Sequence, residues 1–187
     1  MKNALILHGT LGNSKENWFP WLEKELIKNG YKVWLPDLPG ANQPNLQRYN
    51  DFIFGNSDWK FDSESVIIGH SSGAQTVLKI LEDLPDEVKI DTAVLVAGFT
   101  GDVDYPPNIE LKDLTFDWNK IRSNVKRIIL LHSDDDPFVP TEQGENLKVK
   151  LNAELIIRSG EKHYSISTGG EKFKELPIVL ELLNIKG

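Results

Sequence analysis

Short apolar runs rich in β-branched residues alternate along this chain with apolar positions at helical spacing. The runs at 4–7, 32–35, 65–68, 93–96, 127–131 and 154–157 are too short for buried helices and predict strands. Between them Trp18, Trp21, Leu22 and Leu26 recur at helical spacing, as do Ala74, Val77, Leu78 and Leu81. A helix after Thr141 is expected to face the core with Leu147 and Leu151. A last one near Pro177, a residue suited to a first helical turn, is expected to bury Ile178, Leu182 and Leu183 or close neighbours. Strands alternating with helices predict an α/β fold: a doubly wound, mostly parallel sheet with helices on both faces. No repeat or low-complexity linker interrupts the pattern, so residues 1–187 read as a single domain.

Two stretches resist this reading. Residues 37–62 carry Pro39, Gly40, Pro44 and Gly55 among aromatics, and residues 99–119 carry Gly101, Pro106 and Pro107 before Phe116 and Trp118. Both are expected to be irregular, as binding loops or lids often are. In an open parallel sheet, ligands bind at the carboxyl ends of the strands, where such loops emerge.

Composition narrows the classes. Hydrophobic residues make up 40% and charged residues 26%, as in an ordinary globular protein. No apolar run approaches the ~18–20 residues of a membrane span, and the first residues lack the pattern of a secretory signal. With no cysteine, thiol catalysis, disulfides and thiolate metal sites are excluded, and a cytoplasmic location is expected. A formal net charge of −7 disfavours nucleic acid and anionic membranes as partners.

The sharpest signal is Gly69-His70-Ser71-Ser72-Gly73, which follows a β-branched run and precedes a helical pattern. Gly-x-Ser-x-Gly in that setting predicts a nucleophile elbow, a tight strand-to-helix turn that projects the serine hydroxyl into a cleft. Side chains at the flanking positions would collide in so tight a turn. The amide of Ser72 then becomes a candidate oxyanion donor. Ser72 competes with Ser71 as nucleophile only if the register slips. A second donor is expected from His8-Gly9-Thr10-Leu11-Gly12, with the Thr10 amide favoured, Leu11 the alternative and His8 assigned to holding the loop.

A serine hydroxyl needs a base, and the base an orienting carboxylate; in this fold class they follow in the order Ser, Asp or Glu, His. Among four histidines only His163 lies beyond a strand that follows a candidate acid loop. That loop is His132-Ser133-Asp134-Asp135-Asp136-Pro137-Phe138. Asp136, next to the stiffening Pro137, is favoured, with Asp135 the runner-up. Contiguous acids without a turn glycine do not suit a calcium loop, so no metal site is expected. Leu11, Trp18, Phe99 and Phe138 are candidate substrate contacts.

Together with Trp18-Phe19-Pro20-Trp21, Asp135-Asp136-Pro137-Phe138-Val139-Pro140 and Gly160-x-x-His163, these motifs resemble, over nearly the whole chain, the small serine hydrolases that include retinoblastoma-binding protein nine and the YdeN-like esterases. The resemblance implies a minimal α/β-hydrolase without two leading antiparallel strands or a large cap domain. It implies Ser71 as nucleophile, His163 as base and, four positions before Pro140, Asp136 as acid. Ser72, where leucine is common, and Glu161-Lys162 before the histidine depart from the family pattern. The implied activity is hydrolysis of small acyl esters through an acyl-enzyme, with no cofactor. The family's connection with protein binding makes a scaffold or pseudo-enzyme the alternative, although no partner is indicated by the residues themselves. A ligand-binding protein without chemistry would leave the coincidence of elbow, acid and late histidine unexplained.

Overall fold

The computed structural model describes residues 1–101, 103, 111 and 114–185. Six strands form one sheet: β1 (Asn3–Leu7), β2 (Lys32–Trp34), β3 (Ser65–His70), β4 (Ile90–Val96), β5 (Val125–Ser133) and β6 (Glu154–Arg158). Their spatial order is β2-β1-β3-β4-β5-β6, and every neighbouring pair is parallel. Each expected run lies within a strand or overruns it by one residue. The chain winds outward from β1 to β2 on one side and through β3 to β6 on the other, which places a topological switch between β1 and β3.

Alternation along the strands divides the core into two layers. Leu5 and Leu7 of β1, with Ile128 and Leu130 of β5, pack against α2 (Leu46–Phe54), α3 (Ser72–Asp83), α4 (Trp118–Ser123) and α5 (Thr141–Leu151). Ala4, Ile6, Ile129 and Leu131 face α1 (Phe19–Lys28) and α7 (Pro177–Leu182) on the other side. A four-residue helix α6 (Ile166–Gly169) and a short 3-10 turn precede α7.

Some expectations need correction. The stretch 37–62 is not irregular throughout, because it contains the nine-residue α2. Asn45 caps that helix, its Oδ1 accepting from the Arg48 amide at 2.9 Å, and Leu46, Tyr49 and Ile53 form its buried face. Asp117 likewise caps α4, whose first two residues end the stretch 99–119; Pro106 and Pro107 lie outside the described residues. In α7 the buried residues are Val179, Leu180 and Leu182, while Ile178 and Leu183 are half-buried.

Candidate active site

The elbow is built by collisions that only glycine avoids. A Cβ on Gly69 would stand 2.5 Å from the Gly73 carbonyl oxygen, and one on Gly73 would stand 2.5 Å from the Leu7 oxygen. β3 therefore runs straight into α3 with no room to spare, and Ser71 at the junction takes φ 55°, ψ −122°. A serine in that region is strained by about 1–3 kcal/mol and persists because the surroundings fix it. Its amide donates to the Val96 oxygen at 2.9 Å. Strain of this kind clusters here: Leu11, Asn17, Ala97, Lys162 and Tyr164 also have positive φ, and all but Ala97 lie on the cleft or flank His163.

Ser71 and His163 line one cleft of about 360 Å³, with Thr10, Leu11, Phe19, His70, Phe99, Val103, Phe138 and Val139 among its other walls. His163 Nδ1 lies 2.8 Å from Asp136 Oδ2. The carboxylate can only accept, so Nδ1 carries the hydrogen and Nε2 is left to take a proton. The other carboxylate oxygen, Oδ1, accepts from the amides of Phe138 and Val139 at 2.9 and 3.1 Å. The side chain of Asp136 is only 1% exposed, so the interaction is shielded from solvent.

The three consecutive aspartates have separate tasks. Asp134 accepts from the Gly160 amide at 3.0 Å. Asp135 accepts from the Lys162 amide and pairs with its ammonium at 2.7 Å, bonds that together with Ser133 hold its carboxyl down at about 2. Asp136 alone reaches the imidazole. Their side chains diverge, and no group of three or more potential metal ligands occurs among the described residues.

Of the expected oxyanion residues, Thr10 lines the cleft and its hydroxyl donates to the Ser72 hydroxyl at 2.8 Å, which ties the β1 loop to the start of α3. Ser72 is buried as the first residue of that helix, where backbone amides have no partner within the helix. His8 holds the loop: the Leu38 amide donates to its Nε2 and its Nδ1 donates to the Gly9 oxygen, both at 2.9 Å. Burial lowers its pKa, which keeps this arrangement neutral.

Leu11 (56% exposed) and Phe138 (42% exposed) form the rim, and Phe99 is buried in the wall. Trp18 is a correction. It lies behind the cleft, fully buried, with its indole N–H donating to the Tyr164 oxygen at 3.0 Å, while its neighbour Phe19 lines the cleft. Sequence reasoning also passed over Val139 and Ser165, which follow Asp136 and His163 within a few residues and so had a positional signal.

A parallel sheet with a serine elbow after β3, an Asp–His pair from the loops after β5 and β6, and a cleft joining them define an α/β-hydrolase. Residues 4–184 match the profile of the serine hydrolase family, and the chain belongs to it. It is 28% identical to YdeN of Bacillus subtilis (strain 168), over 97% of this chain and 94% of that protein. The crystal structure of the B. subtilis ydeN gene product superposes with a TM-score of 0.89 at 28% identity, covering 98% of this chain and 97% of the other. Rattus norvegicus serine hydrolase RBBP9 is 26% identical over 86% of both proteins. An esterase from Exiguobacterium antarcticum shares the fold, with a TM-score of 0.73 at 14% identity over 98% of this chain and 92% of that one.

Proposed function

We propose that this serine hydrolase cleaves small apolar esters through an acyl-enzyme on Ser71. The observation that carries the reading is the pair His163–Asp136, its free nitrogen belonging to the same cleft as the strained Ser71. In this reading His163 Nε2 takes the Ser71 proton as Oγ attacks the ester carbonyl. Asp136 holds the tautomer and stabilises the imidazolium that forms. The amides of Thr10 and Ser72 hold the oxyanion, a contribution worth about 3–4 kcal/mol per donor in such sites. His163 then hands its proton to the departing alkoxide, and water, activated by the same imidazole, releases the acid. The steps use side chains and backbone alone. Leu11, Phe19, Phe99, Phe138 and Val139 supply apolar walls for an acyl chain.

A fluorophosphonate probe followed by peptide mapping tests the assignment. One adduct, on Ser71, is expected, with none in Ser71→Ala, and 4-nitrophenyl acetate turnover should fall to background in the same variant. A folded wild-type protein that takes no label would replace this reading with a non-catalytic scaffold.

A further inference from the structure

The turn that carries His163 is strained on both sides. Lys162 (φ 51°) and Tyr164 (φ 49°) are both left-handed residues other than glycine, each disfavoured by roughly 1–2 kcal/mol. Such a turn keeps its shape only where its surroundings hold it. Here the holds are side chains reaching in from elsewhere. Asp135 takes the Lys162 amide at 2.8 Å, Thr168 Oγ1 takes the His163 amide at 3.2 Å, and Trp18 gives its N–H to the Tyr164 oxygen at 3.0 Å. The fourth is His70, whose Nε2 lies 2.8 Å from the His163 carbonyl oxygen.

His70 differs from the other three in its place in the chain. It is the last residue of β3 and the immediate neighbour of Ser71, so its bond runs from the nucleophile elbow directly to the backbone of the base. A carbonyl can only accept, so Nε2 must carry the hydrogen. The ring sits 4.8 Å from the His163 ring and 6.0 Å from those of Trp18 and Phe19, which restricts its orientation. Burial and the neighbouring His163 lower its pKa to about 3, although Asp136 and the carbonyl bond oppose this, with His8 a further, minor influence in the lowering direction. His70 is therefore neutral across the working range and is no rival to His163 as a base.

We propose that His70 is a positioning residue for proton transfer: its Nε2–H bond fixes the strained His163 turn in register with the Ser71 elbow. The proposal rests on the Ser71–His163–Asp136 reading above. A base must lie within about 2.6–3.2 Å of the heavy atom whose proton it takes, and a displacement of about 1 Å can cost up to 10²-fold in rate. Without the bond the two loops keep their own folds but lose their common reference, and the turn can relax towards unstrained backbone.

The test compares variants that keep a side-chain N–H donor, His70→Asn and His70→Gln, with two that cannot donate, His70→Phe and His70→Leu. Three quantities are read: kcat and KM with 4-nitrophenyl acetate, the rate of fluorophosphonate labelling, and the downfield proton resonance of the His163 Nδ1–H. In folded Phe and Leu variants kcat and labelling should fall about ten- to a hundredfold with KM within about threefold, and the resonance should broaden or vanish. At least one donor variant should recover most of the loss. A folded Phe or Leu variant that labels and turns over within about threefold of wild type overturns the proposal. So does equal impairment of donor and non-donor variants at matched melting temperature, which would mark His70 as core packing. If the apolar variants do not fold, a donor variant with a lost resonance but wild-type kcat overturns it, and one that keeps both supports it. Absence of labelling in the wild type defeats the triad reading instead; the resonance still reports whether His70 holds the turn.

Discussion

Replacing Asp136 by asparagine isolates the tautomer argument. The amides of Phe138 and Val139 both donate to Oδ1, so the oxygen of an asparagine must occupy that position and its NH2 must face His163. The opposite rotamer would set the NH2 against two backbone donors and lose both bonds, a cost of at least about 2 kcal/mol. The NH2 then donates to His163 Nδ1, the imidazole carries its hydrogen on Nε2, and that nitrogen can no longer accept the Ser71 proton. A 2 kcal/mol bias corresponds to about 30-fold, and full loss of the correct tautomer costs about 10⁴-fold in triads of this type. The measured fall in kcat/KM for 4-nitrophenyl acetate should lie between those limits, with KM little changed and the fold intact by circular dichroism. A folded Asp136→Asn enzyme within about fivefold of wild type would refute the reasoning, because the hydrogen-bond geometry leaves the amide no productive orientation.

Two further outcomes follow from neighbours of the site. Asp135→Ala removes the acceptor of the Lys162 amide and the partner of its ammonium, so kcat/KM should fall, but by less than in Asp136→Asn; Asp135→Asn, which keeps an acceptor oxygen, should fall less again. His132→Leu should flatten the pH dependence of stability. His132 is buried, neither ring nitrogen has a hydrogen-bond partner among the described residues, and burial lowers its pKa to about 4 from 6.5. The unfolded chain thus binds the proton first, and stability is lost as pH falls from about 6.5 towards 4, by about 1 kcal/mol between pH 6 and pH 5 for this group. Urea unfolding at the two pH values should show the variant losing that much less than wild type, and parallel losses would rule the account out.

The sheet was legible because parallel strands covered on both faces are short continuous apolar runs, a pattern that turns and surface helices do not produce. Of the helices that were missed, α2 lies between Pro44 and Gly55, and α4 and α6 have only six and four residues. In α2 the apolar spacing of Leu46, Tyr49 and Ile53 and the cap Asn45 were there to be read, but Pro44 and Gly55 weighed towards a loop. The phase error in α7 has a different origin. Six residues make fewer than two turns, so periodicity alone cannot say whether Ile178 or Val179 faces inward. Trp18 was legible as core and misread as substrate contact, since side-chain spacing does not reveal that its N–H is already satisfied by Tyr164.

At the site, sequence and structure part company over backbone strain. The elbow glycines announce themselves, because a steric requirement for glycine is written in the chain. Leu11, Lys162 and Tyr164 adopt equally unusual backbone with ordinary side chains, and no residue type marks them. What holds the 162–164 turn is supplied from far away: Trp18 is 146 residues from Tyr164, and His70 is 93 from His163. The same separation hides the division of labour among Asp134, Asp135 and Asp136, which depends on the group of the 160–163 turn that each meets: the Gly160 amide, the Lys162 amide or the His163 imidazole. A motif can thus name the reacting atoms, while their alignment is set by long-range bonds between loops. This is why His70, inside the motif yet silent in it, is the position at which the two kinds of information meet.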